Sequence, residues 1–130
     1  MKTLIVAGLL ACVPAWAAIP PLSEQDREVR ATEIVEGTVL NVKRREIPVK
    51  AGTNWDYDLN FRVEKAIKGS LRSGLLIPVK LRQTGKRPEG WAGGQGQNEI
   101  PSEDQRVRFF LHNDQGRFEA LEPNGWEAIP

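Results

Sequence analysis

Two aspartates, Asp56 and Asp58, stand two residues apart in the segment WDYDLNFRV, where they could act as an acid–base pair or bind a cation. If this segment is a strand, both carboxylates point to the same side, with their backbones roughly 7 Å apart. The chain has a single histidine, far from them in sequence, and such acidic pairs are common on solvated strand faces. A metal-dependent hydrolase or nuclease-like barrel that uses these aspartates is therefore an alternative hypothesis.

The histidine, His112, forms an H-x-D motif with Asp114. A zinc site normally needs three or four protein ligands, so one histidine without a nearby cysteine does not predict one. None of the serines lies in the G-x-S-x-G motif of serine hydrolases. The sequence therefore predicts no metal site, no catalytic residue and no cofactor, and we favour a protein without catalytic activity.

The segment GWAGGQGQ, residues 90–97, is rich in glycine. It lacks the Lys-Ser or Lys-Thr that ends a phosphate-binding loop, and no helical pattern follows it, which argues against nucleotide binding. Long loops in compact domains are usually functional or disordered. We predict that this loop and the C-terminal turn PNGW contact a ligand or partner through Trp91, Gly93, Gly94, Gln95 and Trp126. The alternative is a mobile connector in which the two tryptophans only cover the open ends of a barrel.

Charge is balanced over the chain but unevenly distributed. The sequence has 18 Lys and Arg against 17 Asp and Glu, and residues 62–87 carry most of the excess positive charge. Arg62, Lys80 and Arg82 form a secondary candidate surface for an anionic partner. The alternative, which we favour, is that basic and acidic strand faces neutralise each other. We do not expect a nucleic-acid partner, because the aromatic residues of segment 55–63 alternate with its charges and would point inward.

The first residues, MKTLIVAGLLACVPAWA, read as a signal peptide over residues 1–17. Lys2 supplies the positive charge, a short apolar run follows, and cleavage between Ala17 and Ala18 places small residues at the required positions. The apolar run is well below the roughly 20 residues of a membrane span, so no transmembrane segment is predicted. A lipid anchor at Cys12 is the disfavoured alternative. We expect a periplasmic or secreted protein.

Five later segments show strand patterns, and the clearest alternation of apolar and polar residues covers residues 55–68. The others are residues 31–45, 75–82, 106–112 and 117–123, and residues 83–104 form one wide loop. The fold class predicted is all-β, a small five-stranded OB-like barrel or sandwich with one long Gly-rich loop. Residues 18–30 would be a polar N-terminal segment and residues 31–130 a single β-barrel domain.

The order of these motifs resembles a known family. A first strand with EGTV, a long second strand that ends VEKAIKG, and a third strand after Ser-Gly are similar to secreted netrin-type and metalloproteinase-inhibitor-like domains, although the cysteines of those domains are absent. The resemblance covers residues 31–82 well and residues 105–122 loosely. It implies an OB-like barrel that binds ligands on one face and through neighbouring loops.

The sequence as a whole predicts an exported bacterial binding or accessory module for an unknown protein or small ligand of the cell envelope. Two alternatives are the hydrolase described above and a structural subunit of an envelope complex. Fold alone does not choose between them.

Overall fold

The computed structural model describes residues 20–91 and 96–130. The predicted signal peptide, with Ala17, Ala18 and Cys12, and the predicted contact residues Gly93, Gly94 and Gln95 lie outside these ranges. The elements are helix α1 (Glu24–Arg30) and strands β1 (Glu33–Val49), β2 (Gly52–Lys68), β3 (Leu76–Thr84), β4 (Arg106–Asp114), β5 (Arg117–Ala120) and β6 (Trp126–Ala128).

The strands form one sheet that closes on itself. Neighbouring strands follow the order β1-β2-β3-β5-β4, and β4 pairs back with β1. The β3–β5 pairing is parallel and the other pairings are antiparallel. The result is a barrel-like ring rather than a regular barrel, which confirms the all-β prediction. In the described residues, no helix is both long and apolar enough to span a membrane.

The sixth strand, β6, was not predicted. The sequence favours only a turn towards Trp126, but residues 126–128 pair with Val107–Phe109 of β4. Both β5 and β6 pair with the same edge of β4. β5 pairs with residues 111–114 and β6 with residues 107–109, nearer the start of β4. Three residues are too few to show a period of two, so the pairing with β4 decides the conformation.

Alternating side chains of β2 fill the ring. Leu59, Phe61 and Val63 are buried, as the pattern predicts, and the Phe61 ring meets Phe109 edge-on with centroids 4.9 Å apart. Trp55 and Tyr57, at the other end of the same alternation, are only half-buried. The remaining members of this core are Val35, Val39, Ile77, Val79, Leu81, Val107, Leu111, Phe118 and Ala120.

A long hairpin of β1 and β2 extends from the ring. The pairing with β4 ends at Thr38, and in the described part of the chain the rest of β1 pairs with β2 alone. Where the hairpin leaves the ring, the β1–β2 register shifts next to Gly37. A Cβ atom at Gly37 would overlap the carbonyl oxygen of Arg62 on β2, so the two strands approach this closely only because the residue is glycine.

Helix α1 packs on the outside of the ring. Ser23 caps it, its hydroxyl accepting from the amide of Asp26 at 3.0 Å. Arg27 is buried, donates to Glu127 at 2.7 Å, and lies 4.3 Å above the centre of the Phe110 ring. The predicted polar segment 18–30 therefore contains a helix that a buried arginine fastens to β4 and β6.

Candidate functional site

A groove of about 470 Å³ crosses the outer face of β2, β3, β5 and β4. We call it the charged groove. Its lining residues are Asp56, Tyr57, Lys80, Leu81, Arg82, His112, Glu119, Ala120, Leu121 and Glu122.

Strand register brings these charges together. Lys80 of β3 lies opposite Asp58 of β2 on one side and Glu119 of β5 on the other. Glu119 in turn lies opposite His112 of β4. Because side chains alternate along a strand, these polar residues point outward while their neighbours fill the core. One row of polar side chains therefore crosses four strands of the ring.

Ion pairs already occupy much of this row. Asp58 accepts from Arg45 and from Lys80, each at 3.0 Å. Arg82 donates to Glu122 at 2.7 Å. The predicted basic residues Lys80 and Arg82 therefore share the groove but are neutralised in place.

The third residue of the predicted basic surface, Arg62, does not line the charged groove. It lies 3.8 Å from the carboxylate of Glu64, which also accepts from Arg106 at 3.2 Å and from Thr38 at 2.7 Å. The hydrogen bond from Thr38 lowers the pKa of Glu64, and the positive charges of Arg106 and Arg62 lower it further. Burial acts in the opposite direction but is outweighed, so the pKa lies below its usual range. The structure thus divides the predicted basic surface between two places.

The ion pairs of Asp58 change its titration. Burial acts to raise the pKa of Asp58, but the hydrogen bonds and charges of Lys80 and Arg45 outweigh it, so the pKa lies below its usual range. A carboxylate whose folded pKa is depressed stabilises the fold above its unfolded pKa of about 4, and this stabilisation is lost as the pH falls through the folded value.

We therefore expect Asp58→Asn to flatten the dependence of unfolding free energy on pH below about pH 5. The side chain is 36% exposed, so the effect should stay below about 1 kcal/mol. Urea unfolding at several pH values measures it. The matched control is Asp56→Asn, on the same strand face, where no ion pair is lost. Equal pH dependence in wild type and Asp58→Asn would contradict the assignment.

Three side chains of the charged groove remain unengaged. Asp56, Glu119 and His112 make no side-chain hydrogen bond or ion pair to a described residue. Asp56 and Asp58, equivalent by spacing in the sequence, are therefore different in the structure. No group of three or more His, Cys, Asp and Glu residues in the described ranges is placed to hold a metal ion.

The start of the long loop is fixed to the β1–β2 hairpin. The amide of Thr53 donates to the carbonyl of Lys86 at 3.0 Å, and the amide of Gly85 donates to the carbonyl of Thr53 at 2.8 Å. Arg87 donates to the Thr53 carbonyl and, at 2.5 Å, to the side chain of Asn54, and its guanidinium lies 4.8 Å from the centre of the Trp91 ring. The predicted contact residue Trp91 therefore packs against Arg87, which hydrogen bonds fix to the β1–β2 hairpin.

The end of the loop is fixed by Gln97, which was not among the predicted residues. Gln97 is 2% exposed, and its amide nitrogen donates to the carbonyls of Leu121 at 2.6 Å and Ala120 at 3.3 Å. Its side-chain oxygen accepts from the amide of Gly125 at 3.2 Å. The preceding Gly96 is required because a Cβ there would overlap the carbonyl of Arg82. The segment GWAGGQGQ therefore ends in a structural anchor.

Trp126 lies beside a second pocket, of about 360 Å³, which we call the Trp126 pocket. Its indole nitrogen donates to the carbonyl of Glu99 at 2.8 Å, and its ring packs against the main core. The polar residues that line this pocket are Asn98, Glu99, Gln105, Asn124 and Glu127. Part of the predicted loop and the PNGW turn therefore do meet, around Trp126, whereas Trp91 lines neither pocket.

Comparison of the chain with protein-family models, with curated proteins and with solved structures finds no significant match.

Proposed function

We propose that the protein is an exported, non-catalytic binding module and that the charged groove takes a cationic segment of a partner protein in the cell envelope. Kinship with secreted netrin-type barrels is part of the same proposal, and it rests on the sequence motifs given above. The single observation that carries the binding role is the pair of unengaged carboxylates, Asp56 and Glu119, in the charged groove.

The groove favours a cation for an electrostatic reason. Asp58 is shared by Lys80 and Arg45, and Glu122 pairs with Arg82, so these five groups together carry one positive charge. Asp56 and Glu119 add two negative charges, which leaves the cluster with a net charge of −1. An incoming ammonium or guanidinium group would find acceptors that no described side chain occupies, whereas an anion would have to break existing ion pairs. The groove volume of about 470 Å³ is within the range of small-molecule sites, so it can hold one or two side chains of a partner.

Affinity should be modest and should depend on salt. Exposed ion pairs contribute about 0.2–1 kcal/mol each, so two of them give selectivity rather than tight binding. Ionic strength screens such pairs, since the Debye length is about 10 Å at 0.1 M salt. We therefore expect a short basic segment with several contacts, and not a single amine, as the partner.

The test is titration calorimetry with the peptide hexalysine at low salt. Wild type should bind saturably, and the double variant Asp56→Asn/Glu119→Gln should bind roughly tenfold more weakly, since about 1.4 kcal/mol corresponds to that factor. The matched control is Glu28→Gln/Glu46→Gln, which removes two exposed carboxylates outside the groove. The control should bind as wild type does. Absence of saturable binding, or equal loss in both double variants, would refute the groove as the site.

A further inference from the structure

The Trp126 pocket shares no lining residue with the charged groove, so it is a separate feature of the molecule. Residues from the end of the long loop, from the turn before β6 and from β6 itself enclose it. Neither the charged groove nor the cationic segment proposed for it accounts for this second concavity.

The aromatic wall of the pocket is held in one orientation. Trp126 pairs with Phe109 across the β4–β6 ladder, and its indole nitrogen is engaged by the Glu99 carbonyl at 2.8 Å. The ring is only half-buried, although it also packs against the core. A flat apolar surface is therefore fixed at the edge of a concavity.

The rest of the frame is equally preformed. The amide of Asn98 donates to the carbonyl of Pro123 at 2.8 Å, and the side chain of Asn124 exchanges two hydrogen bonds with the backbone of Leu22, at 2.8 and 2.9 Å. The carboxylate of Glu127 is held by Arg27 at 2.7 Å. A site whose walls are already ordered loses little conformational entropy when a ligand enters.

Three polar groups in this frame have no hydrogen-bond partner among the described residues. They are the side-chain amide of Asn98, the carboxylate of Glu99 and the side-chain nitrogen of Gln105. Together they offer both donors and acceptors. None of the three is a cation, so the pocket has no unengaged group that would compensate a phosphate or a carboxylate.

We propose that the Trp126 pocket binds a neutral saccharide unit. A pyranose presents an apolar face of C–H groups, which suits a fixed indole, and equatorial hydroxyls at its rim, which suit planar amide and carboxylate groups. A purely apolar ligand would leave those polar groups unpaired, and an anionic one would meet Glu99. The sugar is therefore the ligand class that satisfies both the ring and its polar neighbours.

The test uses cellotetraose as the probe, with titration calorimetry and tryptophan fluorescence as readouts. Wild type should bind it saturably with a weak Kd, at or below about 1 mM. The acyclic polyol sorbitol, which has hydroxyls but no ring face, should not bind. Asn98→Ala, on the surface, should weaken cellotetraose binding about three- to tenfold, and Trp126→Leu should weaken it at least about tenfold.

Two control variants make the result specific. Trp91→Leu removes a tryptophan outside the pocket and should leave cellotetraose binding unchanged. Asp56→Asn/Glu119→Gln should also leave cellotetraose binding unchanged. The saccharide proposal and the cation proposal can therefore be refuted independently of each other. Because Trp126 contacts the core, the exposed Asn98→Ala variant decides the matter if Trp126→Leu does not fold. No saturable binding at about 10 mM, equal binding of sorbitol, wild-type affinity in Asn98→Ala, or loss of binding in either control would overturn the proposal.

Discussion

Replacing Gln97 by leucine should lower the free energy of unfolding by about 2–4 kcal/mol. Leucine has a similar volume but cannot satisfy the amide of Gly125 or the carbonyls of Ala120 and Leu121, which Gln97 engages in the native protein. An unpaired buried polar group costs about 1–3 kcal/mol, and this substitution leaves more than one backbone group without its hydrogen-bond partner. The measurement is urea unfolding with linear extrapolation to water.

The control for this prediction is Gln25→Leu, the same change at an exposed position of α1, which should alter stability by less than about 0.5 kcal/mol. Hydrogen exchange supplies a local readout, because the amide of Gly125 should lose protection in Gln97→Leu before the core strands do. If both variants are equally stable, Gln97 does not anchor the loop as the structure implies.

Gly37→Ala should destabilise the protein by about 2–4 kcal/mol although it adds a single methyl group. That methyl would overlap the carbonyl oxygen of Arg62 and crowd the ring of Phe61, so β1 and β2 would have to separate where the hairpin joins the ring. The overlapping group belongs to the backbone and has no alternative rotamer. Thermal and urea unfolding measure the loss.

Lys43→Ala is the matched control for Gly37→Ala. Lys43 lies further along the same strand and is exposed, so its truncation should change the unfolding free energy by less than about 0.5 kcal/mol. A Gly37→Ala variant as stable as Lys43→Ala would show that the strands can relax apart at no cost, contrary to the close approach seen here.

Alternation along the sequence predicts which face of β2 is buried but not how far the ring extends. Leu59, Phe61 and Val63 are buried in the core. Trp55 and Tyr57 continue the same alternation between β1 and β3 but are only half-buried. The alternation runs on past the last buried residue, so it does not contain the point at which the core ends.

The candidate site was less predictable than the fold. Asp56 and Asp58 have the same residue type and face, and only the register places Lys80 and Arg45 on one of them. Gln97 lies in a polar, glycine-rich run that gives no sign of burial. The only local signal is Gly96 beside it, because a glycine at a close backbone approach often marks a fixed point of a loop.

The projecting half of β1 affects how molecules of this protein meet one another. A strand with one open edge is a template on which another chain can add a strand, the first step of sheet aggregation. Here the amide of Val42 on that edge is engaged by Glu103 at 3.2 Å, and Pro48, six residues on and therefore on the same edge, has no amide to offer. Charged residues Arg44 and Glu46 stand between them. The hairpin can therefore project into solvent while its edge disfavours the addition of a strand from a neighbouring molecule.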